Sequence, residues 1–181
     1  GGRRGLSGSR MINWVTVIWS MVSAACLTLA MVHLIAWLHH RRDCTRLLAS
    51  LATLALAVYA GIELALMNAT SIAEYTMFHR RAHLAAFAAV ALIVSFVHCY
   101  FRTGRLWLLW LVIGLRAAVA VLSYFPGPTF NFSEVTSLGT FTLFGQAVAV
   151  PYGIAAPWAR LGESSALLSL VFVADASYRL W

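Results

Sequence analysis

Lysine is absent from this chain of 181 residues, and all thirteen of its basic side chains are arginine. A retinal-type Schiff base needs a lysine amine and is excluded on that ground alone. Charge of either sign is scarce: 10% of the residues are charged, and only six are acidic. That is too little to cover the surface of a water-soluble domain of this size. Cysteine is limited to Cys26, Cys44 and Cys99, with no CxxC and no metal-binding spacing. Unpatterned thiols of this kind suit a reducing face and a structural role. The four prolines all lie beyond residue 125, so the first two thirds of the chain have no internal helix breaker of that type. HExxH, a phosphate-binding loop, a Ser–His–Asp set and paired carboxylates at catalytic spacing are all missing, and with them the common hydrolytic and phosphoryl-transfer chemistries.

What is present is apolar sequence in long runs. The chain is 61% hydrophobic, with a mean hydropathy of +0.81. Repeated runs of about twenty apolar residues mark a polytopic helical membrane protein. The formal charge of +7 gathers at the ends of those runs, where topology determinants lie, so the expected partner is a lipid bilayer and not a nucleic acid. Residues 1–10, GGRRGLSGSR, read as a tag or flexible arm, with Met11 as a plausible native start.

The runs predict an all-α integral membrane protein with a bundle of five transmembrane helices. The spans are about Asn13–Leu38, Leu47–Met67, Phe78–Phe101, Leu106–Tyr124 and Leu161–Leu180. The segment at about 125–159 differs, with every proline, several glycines and period-two stretches such as TFTLFGQAVAV. Alternation broken by Gly and Pro favours a hairpin-like cap, with a sixth crossing at 136–152 as the alternative. Five spans place Arg41, Arg42, Arg46, Arg102, Arg105 and Arg179 on one face, and Arg80, Arg81 and Arg160 on the other. The positive-inside rule then puts the N-terminus outside and the cap on the outer face.

The polar residues inside the apolar runs are the candidates for function, because an ionisable group in hydrocarbon needs a partner. Glu63 near the end of span two and His83 in span three stand near the outer face, in a turn region, Glu63–His83, that also carries Glu74, His79, Arg80 and Arg81. A Glu–His hydrogen bond that pins two helices and a small-ligand site both account for this pair. Glu63 with His79 and His83, four residues apart on one face, also supplies a carboxylate and two nitrogens suited to a divalent metal. Nearer the inner face, His33 of span one and His98 of span three form a candidate axial pair for haem. Arg116 in span four and Asp175 in span five are each other's obvious partner, as a packing pair or a relay.

Several strings, taken together, have a familiar look: NWVTVIWSMVSAACLTLAMVHL at Asn13–Leu34, RRAH at Arg80–His83, NFSEVTSLG at Asn131–Gly139 and FVADASYRLW at the end. They resemble the N-terminal multi-span membrane region of bacterial sensor histidine kinases that carry PAS domains downstream. The resemblance implies a multi-pass protein of the bacterial inner membrane, truncated here, with two further helices and cytoplasmic PAS and kinase output to follow. It implies homodimerisation through those absent domains, and it draws attention to His33, Glu63, Arg81, His83 and Glu134. The resulting expectation is a membrane sensory domain with a small ligand held by Glu63, Arg81, His83 and Glu134. A haem-binding electron-transfer or redox-sensing protein, and a transporter or assembly subunit, are the alternatives. The segment itself carries no kinase or other catalytic motif, so any phosphotransfer would belong to the absent segments.

Overall fold

Backbone amides in hydrocarbon must find their partners within their own segment, and the long apolar runs accordingly form helices. In the computed structural model, which describes residues 13–125 and 129–181, these are α1 (Trp14–His39), α2 (Cys44–Met67), α3 (Ile72–Phe101), α4 (Leu106–Leu122) and α5 (Ala159–Tyr178). The N-terminal arm and the Pro126–Pro128 stop lie outside the described residues. Helices α1, α2 and α3 are long and apolar enough to cross a membrane. Helix α4 is apolar but has 17 residues. Helix α5 has 20 and carries Arg160, Glu163 and Asp175. Among the described residues there are therefore five helices, three of them of membrane-spanning length and composition.

The all-α expectation needs correcting, since the cap is a true antiparallel hairpin of β1 (Phe132–Leu143) and β2 (Gln146–Ala155). A sixth helical crossing at 136–152 is thereby replaced by strand. Phe144 and Gly145 make the tight turn with φ of 48° and 82°, the left-handed pair that matches strand twist. Near the open end the register slips between Phe132 and Glu134 and between Val135 and Ser137. A Cβ on Gly153 would stand 1.9 Å from the Glu134 carbonyl oxygen, so only glycine permits that approach.

The stretch Glu63–His83 is mostly helix. Only Asn68–Ser71 separate α2 from α3, because Ser71 and Glu74 form a capping arrangement. The Glu74 amide donates to Ser71 Oγ at 3.2 Å, and the Glu74 carboxylate accepts from Thr70 N and Oγ1 at 3.0 Å. His83 consequently lies eleven residues inside α3, about 16 Å along its axis rather than one turn.

Two kinds of packing hold the helices. Helix α1 runs along α2 and α2 along α3, with Ala30, Ala49, Ser50, Ala52, Ala57, Ala60, Ala85 and Ala89 buried. Small residues let backbones approach closely where lipid offers no hydrophobic drive. Ser50 Oγ donates across to the Ala30 carbonyl at 2.8 Å, and Ser23 Oγ to that of Ala57 at 3.3 Å. By contrast α3, α4 and α5 meet through larger side chains, Val94, Leu108, Leu109, Val112 and Phe172. The hairpin lies across the end where α1 begins and α2 ends. Its Gln146 amide donates to Asn68 Oδ1 at 2.9 Å, while its carbonyl faces Thr16 Oγ1 at 3.5 Å.

Candidate functional site

Beneath the hairpin, α2 and α3 turn facing stripes toward each other. Tyr59, Glu63 and Leu66 recur at helical spacing on α2; Tyr75, His79, Ala82, His83 and Ala86 do so on α3. With Arg116 of α4 and Asn131 at the base of the hairpin they enclose a cavity of about 350 Å³. A second cavity of about 410 Å³ adjoins it, sharing His83, Arg116 and Asn131 and closed by Ala159, Gly162 and Glu163 at the start of α5. One site thus receives side chains from four helices and the cap.

Packing fixes the two imidazoles. His79, 6% exposed, stacks on Tyr75 with centroids 5.8 Å apart and meets the His83 ring edge to face at 4.6 Å. His83 in turn meets the ring of Phe130 at 5.2 Å. Asn131 Nδ2 lies 3.2 Å from His79 Nε2. With the amide as donor, that nitrogen accepts and the ring proton resides on Nδ1. On α2, Tyr59 and Glu63 lie one turn apart on the cavity lining.

Three polar atoms on the cavity lining are buried without a hydrogen-bond partner: His79 Nδ1, His83 Nε2 and Arg116 Nε. Arg116 also makes no ion pair among the described residues. Buried polar groups are normally satisfied, so three orphans around one cavity mark a place built to contact something else.

The structure brings some of the expected residues together and separates others. Glu63, His79 and His83 share the cavity. As a metal set they do not converge: among the described residues no three His, Cys, Asp or Glu are placed to hold an ion, and the two imidazoles are committed to ring packing. Arg81, two residues from both histidines, points to another face beside Thr76, Met77 and Tyr124. Glu134 stands exposed on β1 opposite Ile154. Neither belongs to the site.

The haem pair is also separated, because the two histidines have different surroundings. His33 lines a cavity with Asp43, Arg46, Phe96 and Tyr100. His98 Nδ1 instead engages the Thr103 carbonyl at 2.9 Å, closing the end of α3. Arg116 and Asp175 do not pair either. Asp175 bonds Arg179 at 3.3 Å and Arg105 at 3.8 Å, and Arg116 is eleven residues, about 16 Å, along the chain from Arg105.

Sequence reasoning missed Tyr59, Tyr75, Asn131 and Glu163 as site residues. Tyr59 and Tyr75 carried a signal, since they continue the Glu63 and His79 stripes at four-residue spacing. Asn131 and Glu163 carried none, because the hairpin and α5 reach the site only by tertiary packing. No protein-family model, curated protein or solved structure matches this chain.

Proposed function

We propose that this chain is a membrane-embedded sensory domain. A small ligand occupies the cavity between α2, α3 and α4 under the hairpin, near the outer face, with the N-terminus outside and five helices crossing a bacterial inner membrane. Ligand binding favours one packing of α3, α4 and α5 over another, and α5 carries that preference toward cytoplasmic PAS and histidine kinase output. A ligand shifts such an equilibrium only by its differential affinity for the two packings, so the site must contact helices that move. The observation that carries the reading is the set of three unpartnered nitrogens, on His79, His83 and Arg116, around a cavity bordered by α2, α3, α4 and the cap and adjoined by a second that reaches α5. The resemblance to PAS-linked sensor kinases supplies the output; the cavity supplies the input.

The test uses the protein in lipid nanodiscs. Small molecules retained after exposure to a metabolite mixture are read by native mass spectrometry, with helix content checked by circular dichroism. His83→Ala and Glu63→Ala each remove the retained molecule while leaving helix content intact. The same molecule alters hydrogen exchange at the inner end of α5, residues 175–181. Retention unchanged in both variants overturns the site.

A further inference from the structure

The chemistry of the lining says what class of ligand the cavity takes. This step rests on the sensory reading above. We infer that the ligand carries a single carboxylate, held by Arg116 and His83 with His79 beside them, and an apolar body set against Tyr59, Leu66 and Tyr75.

The donors come first. A guanidinium Nε–H can only donate, and Arg116 Nε is buried with nothing to donate to. His79, nine-tenths buried, has Nδ1 as a donor once Asn131 occupies Nε2. His83 adds Nε2, close enough to His79 for ring contact. N–H donors around one cavity, one of them on a guanidinium, match a carboxylate, whose two oxygens accept without donating. A cationic ligand would be repelled by the Arg116 guanidinium, and a neutral one lacking a strong acceptor would leave its buried Nε–H unsatisfied.

The two acids that border the cavities limit the ligand to one negative charge. Glu63 lies on the α2 wall beside Tyr59, and Glu163 is exposed at the start of α5. A dianion would place its second charge near one or the other. The cavity of about 350 Å³ accommodates a body the size of a benzene ring or a medium acyl chain. The carboxylate can come from water as a small organic acid or from the bilayer as a fatty acid; both present the same group to Arg116.

Four probes in nanodiscs decide the matter: benzoate, its neutral isostere benzamide, the cation benzylamine, and decanoate as a bilayer-borne acid. Binding is read as a saturable rise in melting temperature. Benzoate or decanoate is expected to bind, with benzamide and benzylamine weaker by about tenfold or more, the worth of a charge-assisted hydrogen bond. Benzoate alone assigns the ligand to the aqueous side, and decanoate alone to the bilayer; either supports the inference. Arg116→Met abolishes the preference for the acid. Should that variant not fold, Arg116→Lys keeps the charge but loses the guanidinium fork, and it weakens the acid while leaving benzamide unchanged. Equal or tighter binding of benzamide or benzylamine, lost in His83→Ala, overturns the carboxylate and leaves the cavity reading standing. No binding of any probe overturns both.

Discussion

Phe130 is the side chain by which the hairpin holds the bundle, and its removal tests whether the cap is part of the site. The ring is fully buried. It lies edge to face on His83 at 5.2 Å, and so close to Gly162 that a Cβ there would stand 3.2 Å from Phe130 Cε1. Phe130→Ala removes the ring from a packed wall of two elements, a change that costs about 3–5 kcal/mol. The aromatic pair with His83 accounts for roughly 0.5–1.5 kcal/mol of that. Other ties of the cap include hydrogen bonds from Asn131 and Gln146, each worth about 1 kcal/mol net. A lone two-stranded hairpin is marginal in water, so undocking exposes its amides to exchange. The population of the undocked cap should rise by about two to four powers of ten. Hydrogen exchange followed by mass spectrometry on residues 132–155 reads this directly, with α1 and α2 as the unaffected control. Phe130→Leu keeps most of the volume and should cost less than about 1.5 kcal/mol. Exchange in 132–155 indistinguishable from the parent in Phe130→Ala would refute the docking argument.

Two further outcomes follow from the charged groups. A double-mutant cycle on Arg116 and Asp175, read by SDS-induced unfolding, should be additive within about 0.5 kcal/mol, whereas Arg105 with Asp175 should show a coupling of about 0.2–1 kcal/mol that salt weakens. A clear coupling between Arg116 and Asp175 would restore the pair expected from sequence. At the start of α2, Asp43 caps the helix by accepting from Thr45 N at 3.2 Å, and its carboxyl lies below the ordinary carboxylate range because Thr45, then Arg46, bond the charged form. A lowered value in the folded state means that its stabilising contribution is present above about pH 4 and is lost as pH falls below it. The melting temperature of Asp43→Asn should therefore lack that part of the acid dependence seen in the parent; an identical acid profile would contradict the capping role.

Local physics was legible wherever one segment decided its own fate. Apolar runs without proline had to be helices, and Phe144–Gly145 between alternating stretches had to turn a hairpin. The beginning of α3 was also written in the chain, as Ser71 and Glu74 at capping spacing, though the apolar pattern alone suggested a later start. Glu63, His79 and His83 came together because four loop residues force α2 and α3 to lie antiparallel with their stripes facing. Pairings between more distant helices were not legible. Arg116 and Asp175 look complementary as an acid and a base in apolar surroundings, but pairing depends on axial level, and Arg105 and Arg179 occupy the level of Asp175. His33 and His98 depend on helix neighbours and rotation: α1 packs chiefly along α2, and His98 turns to the Thr103 carbonyl.

The sequence by itself determined that the chain forms long apolar helices with a β-hairpin between the fourth and fifth, because each of those choices is settled by hydrogen bonding and burial within a few consecutive residues. Tertiary structure alone decided that Arg116, Asn131 and Glu163 join the two histidines around a cavity, and that Arg81 and Glu134 do not. Which side chains share a cavity depends on helix rotation and depth, and these are set by packing between segments far apart in the chain.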